Sequence, residues 1–487
     1  MKTEPNIYLI VPALYPNAGG LTKSMFDKAN YLSNSFNVEI LTTNFQLHFN
    51  KIRNDLENSG KLSPSVNVRN IYNDISQRNT KNKIGAKFDF EELLENYDAL
   101  SVDKGEGRDR VFGWHGTYQN YISYHKGKIH FIDYMDEFDP TVLRKRYIFD
   151  QGNLLAMETM VDGKKQQQVI FNRHKNPVLN IWHKDNQPNR IFDMQGEGVF
   201  DTAPAKLYKK WFESVIAAED VVLVDCFFSQ VAGYLENIPC ATIGFIHSHH
   251  DYDGDARFAT HFSDFNKFVF LTKLQQEDFK SHNPAVTAKS SVLPHPVLKT
   301  VSPGQKEKKI VTMSRLVSNK PVDLSIRAFA KIADSFPDFT YDIYGIGPNK
   351  DSLTELIKNL GLQGRVFLKG YVDNPLGKFE KAQLSIMLTK FEGYGLSILE
   401  SLGMSCPVVT SAVNYGPSEL VLDGVNGRLV SNTSIDEIAS AITDILKHSS
   451  KYQENCLPSI SDKSLDAWQL KLLEIISEAI NNKETVS

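Results

Sequence analysis

Apolar strands that alternate with helix-like segments constrain the fold of this chain more than any other feature. The first series has a nearly continuous apolar run at residues 7–13, then Gly19 and Gly20, helical spacing over residues 21–32 and a strand at residues 38–42. Continuous apolar strands joined by helices are typical of parallel sheets that are covered on both faces. The sequence therefore predicts an open α/β fold that begins with a βαβ unit.

The same alternation returns in the second half of the chain. Apolar strands are predicted near residues 221–224, 241–246 and 268–271 and, after a linker near 297–307, near residues 310–313, 341–344, 366–368, 384–388 and 408–409. Two doubly wound units of this kind bind ligands at the carboxyl ends of their strands, where the loops gather. We therefore expect the functional residues in those loops.

A middle stretch of the chain has a different texture, with short alternating runs rich in Tyr, Phe, Ile and His. Turn pairs such as Lys126-Gly127 and Asp162-Gly163 separate these runs, which is typical of antiparallel hairpins. We predict a β-rich insertion that interrupts the first unit. The predicted boundaries are 1–69 and 202–300 for an N-terminal Rossmann-like domain, 70–201 for the insertion, 301–463 for a C-terminal Rossmann-like domain and 464–482 for a terminal helix that packs back on the first domain.

Composition excludes several classes of protein. The 487 residues include 54 Lys and Arg against 58 Asp and Glu, a net charge of −4, which argues against a protein that coats nucleic acid. The 4 cysteines form no C-x-x-C pair, so neither a disulfide framework nor a zinc site is indicated. Because no apolar run approaches the roughly 20 residues that span a bilayer, we expect a cytoplasmic protein.

Two carboxylates, Glu392 and Glu400, flank a glycine-rich turn that leads into a helix. The helix would begin near Gly395 to Ser397, and a helix N-terminus points free N–H groups at an anion. Carboxylates accept hydrogen bonds from sugar or ribose hydroxyls, so this arrangement suits a nucleotide sugar. An ordinary strand-to-helix turn with two surface glutamates is the alternative.

The segment from Glu392 to Glu400 resembles the E-x7-E motif of retaining glycosyltransferases of the GT-B type. The matches continue in order and spacing at Ser314-Arg315-Leu316 with Lys320, at Tyr344 to Pro348, at Gly403 with Pro407 to Val409, at Tyr415-Gly416-Pro417 with Glu419, and at Asp423 to Gly427 with Leu429-Val430. The resemblance implies two Rossmann-like domains facing a cleft, a UDP-sugar donor as substrate, no cofactor and no metal.

Roles for the cleft residues follow from this resemblance. Arg315 and Lys320 come after a predicted strand of the second unit, where cations would stabilise the departing diphosphate; ordinary surface cations are the alternative. Glu392 would orient the donor sugar and Glu400 the ribose. The remaining donor-binding candidates of this turn are Tyr394, Gly395, Leu396 and Ser397.

Two glycine pairs are further candidates for substrate binding. Gly345 and Gly347 lack the third glycine of a dinucleotide fingerprint, which disfavours an NAD-dependent oxidoreductase. The resemblance places their loop near the nucleotide, and a simple turn is the alternative. Gly19 and Gly20 would let the backbone approach the donor diphosphate, or they merely turn the chain.

The histidine-rich stretch after the strand at 241–246 offers a contact to the donor sugar. The family often carries a histidine in this loop, and His250 is the preferred candidate, with His247 next. Neighbours in an extended chain point to opposite faces, so these side chains do not all converge, and a metal site is disfavoured.

The interrupting β-rich segment resembles that of the wall teichoic acid α-glycosyltransferases. This resemblance implies transfer of glucose from UDP-glucose to poly(glycerol phosphate), a homotrimer, and peripheral association with the inner face of the membrane. The insertion and its exit carry positive clusters, which are Lys126 with Lys128, Arg144 to Arg146, Lys164 with Lys165, and Lys206 with Lys209 and Lys210. These clusters fit a polyanionic acceptor. Solvated surface charges that protect exposed sheet edges are an equally consistent interpretation.

Other functions stay open at this point. One is a UDP-GlcNAc-dependent transferase that acts on poly(ribitol phosphate) or on serine-rich adhesin protein. Another is a catalytically inactive binding subunit, which the presence of Arg315, Lys320, Glu392 and Glu400 disfavours. Nucleic acid is not an expected partner.

Overall fold

A computed structural model of the protein describes two compact units, Met1–Ala241 and Thr242–Ser487. The described residues are 5–15, 20–77, 88–97, 100–113, 116–194, 200–202, 204–225, 235, 238–247, 265–282, 288–372 and 374–484. This division into two units does not separate the predicted insertion from the N-terminal domain, so the predicted domain boundaries stay predictions.

The first unit contains parallel strands in the order β14-β1-β2-β3. They are β1 (Ile7–Val11), β2 (Val38–Thr42), β3 (Val66–Asn70) and β14 (Val221–Val224), and the helices among them are α1 (Gly20–Leu32), α2 (Phe49–Asn58) and α3 (Ile71–Ser76). Every residue of β1 and β14 is buried, as expected for a parallel sheet that is covered on both faces. Strand β3 was not singled out in the sequence because only Val66, Val68 and Asn70 of its five residues are buried.

An antiparallel sheet of ten strands, β4 to β13, confirms the predicted β-rich insertion. Its strands are Ser101–Gly105, Arg108–Phe112, Tyr118–His125, Lys128–Met135, Leu143–Asp150, Asn153–Val161, Lys164–Phe171, Pro177–Lys184, Gln187–Asp193 and Phe200–Thr202. Each strand pairs with the next along the chain. Lys126-Gly127 and Asp162-Gly163 have φ of 49° and 76° and of 50° and 71°. Two consecutive positive φ values are the geometry of a tight hairpin turn, so the turn predictions are correct.

Helix α4 (Asp89–Glu95) covers part of this sheet through aromatic contacts, and α5 (Pro204–Val215) follows its last strand, β13. The Phe90 ring meets the Phe149 ring edge-on at 5.2 Å and lies 4.9 Å from the Tyr147 ring. Edge-to-face packing suits the charge distribution of aromatic rings. The aromatic richness of the insertion thus supplies a small core.

Many basic residues of the insertion are in ion pairs. Arg144 pairs with Asp136, Arg146 with Asp133 and Lys165 with Glu158, while Lys145 contacts Asp89. These four cations are therefore neutralised locally. Within the described residues, Lys126 and Lys128 are exposed and have no ion-pair partner.

Contacts within the first unit join α2 to the insertion. The ring of His48, which precedes α2, packs against the His130 ring with centroids 3.5 Å apart and planes tilted by 31°. Burial, followed by the charges of His130, Lys51 and His125, lowers the pKa of His48 to about 4. Burial also lowers the pKa of His130. Both imidazoles are therefore neutral at neutral pH.

The second unit contains a six-stranded parallel sheet in the order β20-β19-β18-β21-β22-β23. The strands are β18 (Glu307–Met313), β19 (Thr340–Tyr344), β20 (Val366–Gly370), β21 (Ala382–Met387), β22 (Val408–Ser411) and β23 (Gly427–Val430). Their neighbours in the chain include α7 (Val322–Ile332), α8 (Lys350–Asn359), α9 (Leu376–Lys381), α10 (Leu396–Gly403), α11 (Gly416–Leu420), α12 (Ile435–Lys447) and α13 (Ser449–Cys456). Strand and helix alternation confirms the predicted α/β class.

Three further strands and a long helix complete this unit. Strands β15 (Ala241–Ile246), β16 (Lys267–Phe270) and β17 (Ser290–Val292) run parallel, and α6 (Lys273–His282) follows β16. The terminal helix α14 (Leu465–Glu484) contacts β16, and its Glu478 pairs with Lys267. Among the helices of the described residues, none is both long and apolar enough to cross a membrane.

Candidate active site

The loops after β18 and β21 meet because these two strands are neighbours in the sheet. Carboxyl ends of adjacent parallel strands lie at the same edge, so residues far apart in sequence come together there. The Lys320 Nζ donates to Glu392 Oε2 over 2.5 Å. The backbone N–H of Lys390 donates to the Asn319 carbonyl over 2.9 Å, which ties the two loops together beside the pair. The structure thus unites two predicted site residues.

The Lys320 and Glu392 pair is only partly in contact with solvent. The side-chain exposures are 15% for Lys320 and 31% for Glu392. An ion pair that is partly withdrawn from water acts on a ligand more strongly than a fully solvated one. Lys320 Nζ also donates to the Thr389 Oγ1 over 2.9 Å. The ammonium and carboxylate are therefore fixed groups at the end of the sheet.

Arg315 stands in the same loop as Lys320, with its side chain exposed. Among the described residues its guanidinium has no hydrogen-bond or ion-pair partner, so it is available to an anion. The loop is supported from behind, because Ser314 N–H donates to the Tyr344 carbonyl and Leu316 N–H to the Ile346 carbonyl, each over 3.0 Å.

Gly345 and Gly347 make this support possible. A Cβ at Gly345 would lie 1.8 Å from the Ser314 carbonyl oxygen, and one at Gly347 would lie 2.3 Å from that of Leu316. Both contacts are far below van der Waals separation, so only glycine fits. The two glycines therefore let the loop after β19 pack directly against the backbone on both sides of Arg315.

Helix α10 begins beside Glu392. Gly395 precedes the helix with φ 93°, a left-handed conformation that favours glycine. The N–H groups of Leu396 and Ser397, at the first positions of the helix, have no intrahelical acceptor. Tyr394 is buried, and its hydroxyl donates to the His295 carbonyl over 3.3 Å. Glu400 lies on the same helix, partly buried, so the turn carries both carboxylates and a set of amides.

The backbone of Glu392 is held by the segment that leads into α11. Tyr415 N–H donates to the Glu392 carbonyl over 2.9 Å, and Gly416 N–H donates to the Gly393 carbonyl over 3.2 Å. A Cβ at Gly416 would lie 1.7 Å from the Tyr394 carbonyl oxygen. The Tyr415 hydroxyl donates to the Asp278 carboxylate on α6. Sequence reasoning noted Tyr415 and Gly416 as motif matches but gave them no role.

The histidine candidates are only partly described. The His247 ring lies 6.1 Å from the His295 ring, which in turn meets the Tyr394 ring edge-on at 5.0 Å. His295 thus lies between the His247 ring and the Tyr394 ring of the turn before α10. His250 and Gly19 lie outside the described residues, and Gly20 is the first residue of α1. No cluster of His, Cys, Asp and Glu suited to a metal occurs within the part of the chain that the structure describes.

A pocket of about 270 Å³ borders the site between α7 and α8. Its lining combines apolar, amide and charged side chains; it comprises Leu316, Lys320, Val322, Asp323, Arg327, Asn349, Ser352, Leu353 and Leu356. The pocket shares Lys320 with the site, so a ligand group there would sense the same cation.

Comparison with known proteins agrees with this geometry. Residues 299–457, which carry the site, match the family of glycosyl transferases group 1. The poly(glycerol-phosphate) alpha-glucosyltransferase of Bacillus subtilis is 28% identical over 93% of this chain and 71% of its own length. The poly(ribitol-phosphate) alpha-N-acetylglucosaminyltransferase of Staphylococcus aureus is 26% identical over 95% of this chain and 98% of its own.

Solved structures share the fold. A mutant of S. aureus TarM in complex with Fondaparinux, alpha-GlcNAc-glycerol and UDP superposes with a TM-score of 0.80 and 22% identity, over 97% of this chain and 99% of that one. The pneumococcal O-GlcNAc transferase GtfA, in complex with UDP and GlcNAc, gives 0.76 and 18% over 98% and 99%. Residues 299–457 therefore form a group 1 glycosyltransferase domain, and the chain has the GT-B fold of these solved structures and resembles the wall teichoic acid α-glycosyltransferases.

Proposed function

We propose that this chain transfers glucose from UDP-glucose to hydroxyls of poly(glycerol phosphate) wall teichoic acid, with retention of the α configuration. The observation that carries the donor chemistry is the Lys320 and Glu392 pair beside the N-terminus of α10. The choice of sugar and acceptor rests on similarity over 93% of this chain to the poly(glycerol-phosphate) alpha-glucosyltransferase.

Each site residue has a proposed role toward the donor. Arg315 and Lys320 bind the diphosphate, and the amides of Leu396 and Ser397 add hydrogen-bond donors at the positive end of α10. Glu392 orients the sugar and Glu400 the ribose. Further contacts to the donor are proposed for Gly19, Gly20, His247, His250, Gly345, Gly347, Tyr394 and Gly395.

The proposed reaction needs no enzymic nucleophile. The acceptor oxygen bonds to the anomeric carbon on the face from which the phosphate oxygen departs, and the acceptor proton passes to that phosphate oxygen. Negative charge grows on the diphosphate as its bond breaks, so fixed cations stabilise the transition state more than the ground state. We propose that the donor diphosphate takes up the Lys320 ammonium that contacts Glu392 in the free protein, with no cofactor or metal required.

A UDP-GlcNAc donor with a poly(ribitol phosphate) acceptor is the second candidate. Similarity that covers 98% of the poly(ribitol-phosphate) alpha-N-acetylglucosaminyltransferase favours it. A serine-rich protein acceptor has narrower support, because the peptide N-acetylglucosaminyltransferase GtfA subunit of Streptococcus pneumoniae matches only 36% of this chain.

A matrix of donors and acceptors tests the proposal. The purified chain is incubated with UDP-glucose or UDP-GlcNAc and with poly(glycerol phosphate), poly(ribitol phosphate) or a serine-rich polypeptide, and released UDP is measured. We expect the highest turnover with UDP-glucose and poly(glycerol phosphate), and an α-anomeric product by NMR. A β-anomeric product, or no UDP release in any combination, would contradict the proposal.

We also propose a homotrimer that works at the inner face of the membrane, where a lipid-linked polymer would be available. Light scattering coupled to size-exclusion chromatography measures the oligomeric state. Sedimentation with anionic vesicles measures the membrane association. A monomer, or a chain that stays in the supernatant, would remove the corresponding part of the proposal.

A further inference from the structure

Thr389 lies two residues beyond the end of β21 and is 1% exposed. Its Oγ1 accepts a hydrogen bond from Lys320 Nζ over 2.9 Å. The hydroxyl donates to the Phe391 carbonyl over 2.6 Å. A threonine hydroxyl has one hydrogen to donate, and Phe391 already takes it. Oγ1 also accepts from the Phe391 N–H over 3.3 Å. Because its own hydrogen is already donated, the hydroxyl can only accept from the ammonium, so it is fixed as an acceptor for Lys320.

The backbone of Thr389 is fixed as well. Its N–H donates to Ser411 Oγ on β22 over 2.8 Å, and its carbonyl accepts from Asn432 Nδ2 over 2.6 Å. Ser411 and Asn432 are themselves hydrogen-bonded to each other. Groups that are held by several bonds at the end of a sheet keep their position when a ligand binds. This network makes Thr389 a rigid point of attachment for the flexible lysine side chain.

Glu392 alone does not define the place of the ammonium. The lysine side chain has four rotatable bonds, so a single ion pair still leaves it several rotamers. The Thr389 hydroxyl and the Glu392 carboxylate approach Nζ as two separate acceptors, at 2.9 Å and 2.5 Å. When a diphosphate draws the ammonium away from the Glu392 carboxylate, the Thr389 hydroxyl can keep its contact, because it is neutral and does not compete with the diphosphate for the positive charge. It limits how far Nζ can move.

We infer, resting on the proposed function, that Thr389 is a positioning residue that holds the Lys320 ammonium at the departing diphosphate. It acts through Lys320 and does not itself touch the donor. Misplacement of a catalytic group by about 1 Å can reduce turnover about 100-fold. Loss of the hydroxyl should therefore reduce kcat and leave the donor KM nearly unchanged.

The matched control is Thr410 on β22. It is 0% exposed and its hydroxyl donates to the Met387 carbonyl over 2.8 Å. Thr410→Val removes a buried hydroxyl from the same sheet without touching Lys320. Thr389→Val removes the acceptor, and Thr389→Ser keeps it. All three variants are compared with the unchanged chain by thermal melting, UDP affinity, and kcat and KM for the donor.

We expect Thr389→Val to lose about 10- to 100-fold in kcat, with a melting temperature close to that of Thr410→Val and UDP affinity near that of the unchanged chain. Thr389→Ser should recover most of the loss. In a Lys320→Ala background, Thr389→Val should reduce kcat no further, because the group that it positions is absent.

Equal kcat in Thr389→Val and Thr410→Val would overturn the inference. So would a Thr389→Ser variant as slow as Thr389→Val, or a full further loss in the Lys320→Ala background. An unchanged chain that neither binds UDP nor releases it from any donor would overturn the proposed function, and the inference with it. An active unchanged chain beside an equally active Thr389→Val removes the inference alone.

Discussion

Lys320 is the residue on which the proposed chemistry depends most directly. Lys320→Ala removes the cation from the Glu392 and Thr389 oxygens that surround it. We expect turnover to fall about 100-fold or more, because a fixed charge no longer faces the departing diphosphate. Released UDP per unit time measures the loss.

Folding should be nearly unaffected by this change. Lys308→Ala is the control, since Lys308 forms an exposed pair with Asp338 over 2.6 Å and such pairs contribute little to stability. Both variants should melt close to the unchanged chain, and only Lys320→Ala should be slow. A Lys320→Ala variant with near-normal turnover would refute the role of Lys320.

A substitution at Gly347 tests whether the close backbone packing behind Arg315 stabilises the fold. Gly347→Ala would bring a Cβ to 2.3 Å from the Leu316 carbonyl oxygen, so the Arg315 loop must shift. Gly364→Ala also replaces a glycine of positive φ, 80° against 159° at Gly347, but its Cβ would meet nothing within 4 Å. We expect Gly347→Ala to lower the free energy of unfolding by about 1–3 kcal/mol more than Gly364→Ala, measured by urea denaturation. Equal losses of unfolding free energy in the two variants would mean that the Arg315 loop shifts without an energetic cost.

At the scale of elements, the packed rings of His48 and His130 join α2 to the insertion. The folded pKa of His48 is about 4, below the value of about 6.5 for an unfolded chain. Between these values the unfolded chain binds more protons. The stability from this contact is therefore fully present above about pH 6.5 and is lost as the pH falls toward 4.

We expect the melting temperature to fall as the pH is lowered from about 7 to about 5. His48→Asn should reduce that fall, since asparagine tolerates the left-handed conformation that His48 has, at φ 68°, and does not titrate. Calorimetry of both chains over this range measures the difference. Identical pH profiles would show that the imidazole pair is not the source.

The sequence predicted the buried strands well but not the contacts between elements. Strands at 221–224 and 241–246 agree with the structure residue by residue, because short, continuous apolar runs of this length suit strands that are buried on both faces. The sequence could place Lys320 and Glu392 near each other because each follows a predicted strand, and the carboxyl ends of parallel strands lie at the same edge of a sheet. The roles of Thr389, Tyr415 and the packed His48 and His130 rings depend on tertiary neighbours, which no local pattern in the sequence reports.

At the scale of the whole molecule, the distribution of unpaired positive charge indicates where a polyanionic acceptor would bind. Since Arg144, Lys145, Arg146 and Lys165 are already paired with carboxylates, the exposed Lys126 and Lys128 at one hairpin are better placed to meet phosphates. Changing both to Glu should raise KM for a polymeric acceptor and leave KM for the donor unchanged.

A control with the same change of charge is Lys447→Glu with Lys451→Glu, in the unit that contains the donor-site residues. Steady-state kinetics with poly(glycerol phosphate) at low and high salt measures both variants. The loss at the hairpin should shrink as salt rises, because ions screen exposed charges. Equal acceptor KM values in the two double variants would exclude the hairpin as a contact.

The six-stranded sheet places β18 and β21 side by side at its centre, while β19 and β20 lie toward one edge. Under the proposed function, bond breaking and the ribose contact of Glu400 both belong to the centre, because Lys320 follows β18 while Glu392 and α10 follow β21. Substitutions in the outermost strand β20 can therefore accumulate while the reacting groups keep their spacing. Such a layout lets the periphery of the sheet diverge between relatives while its centre stays constant.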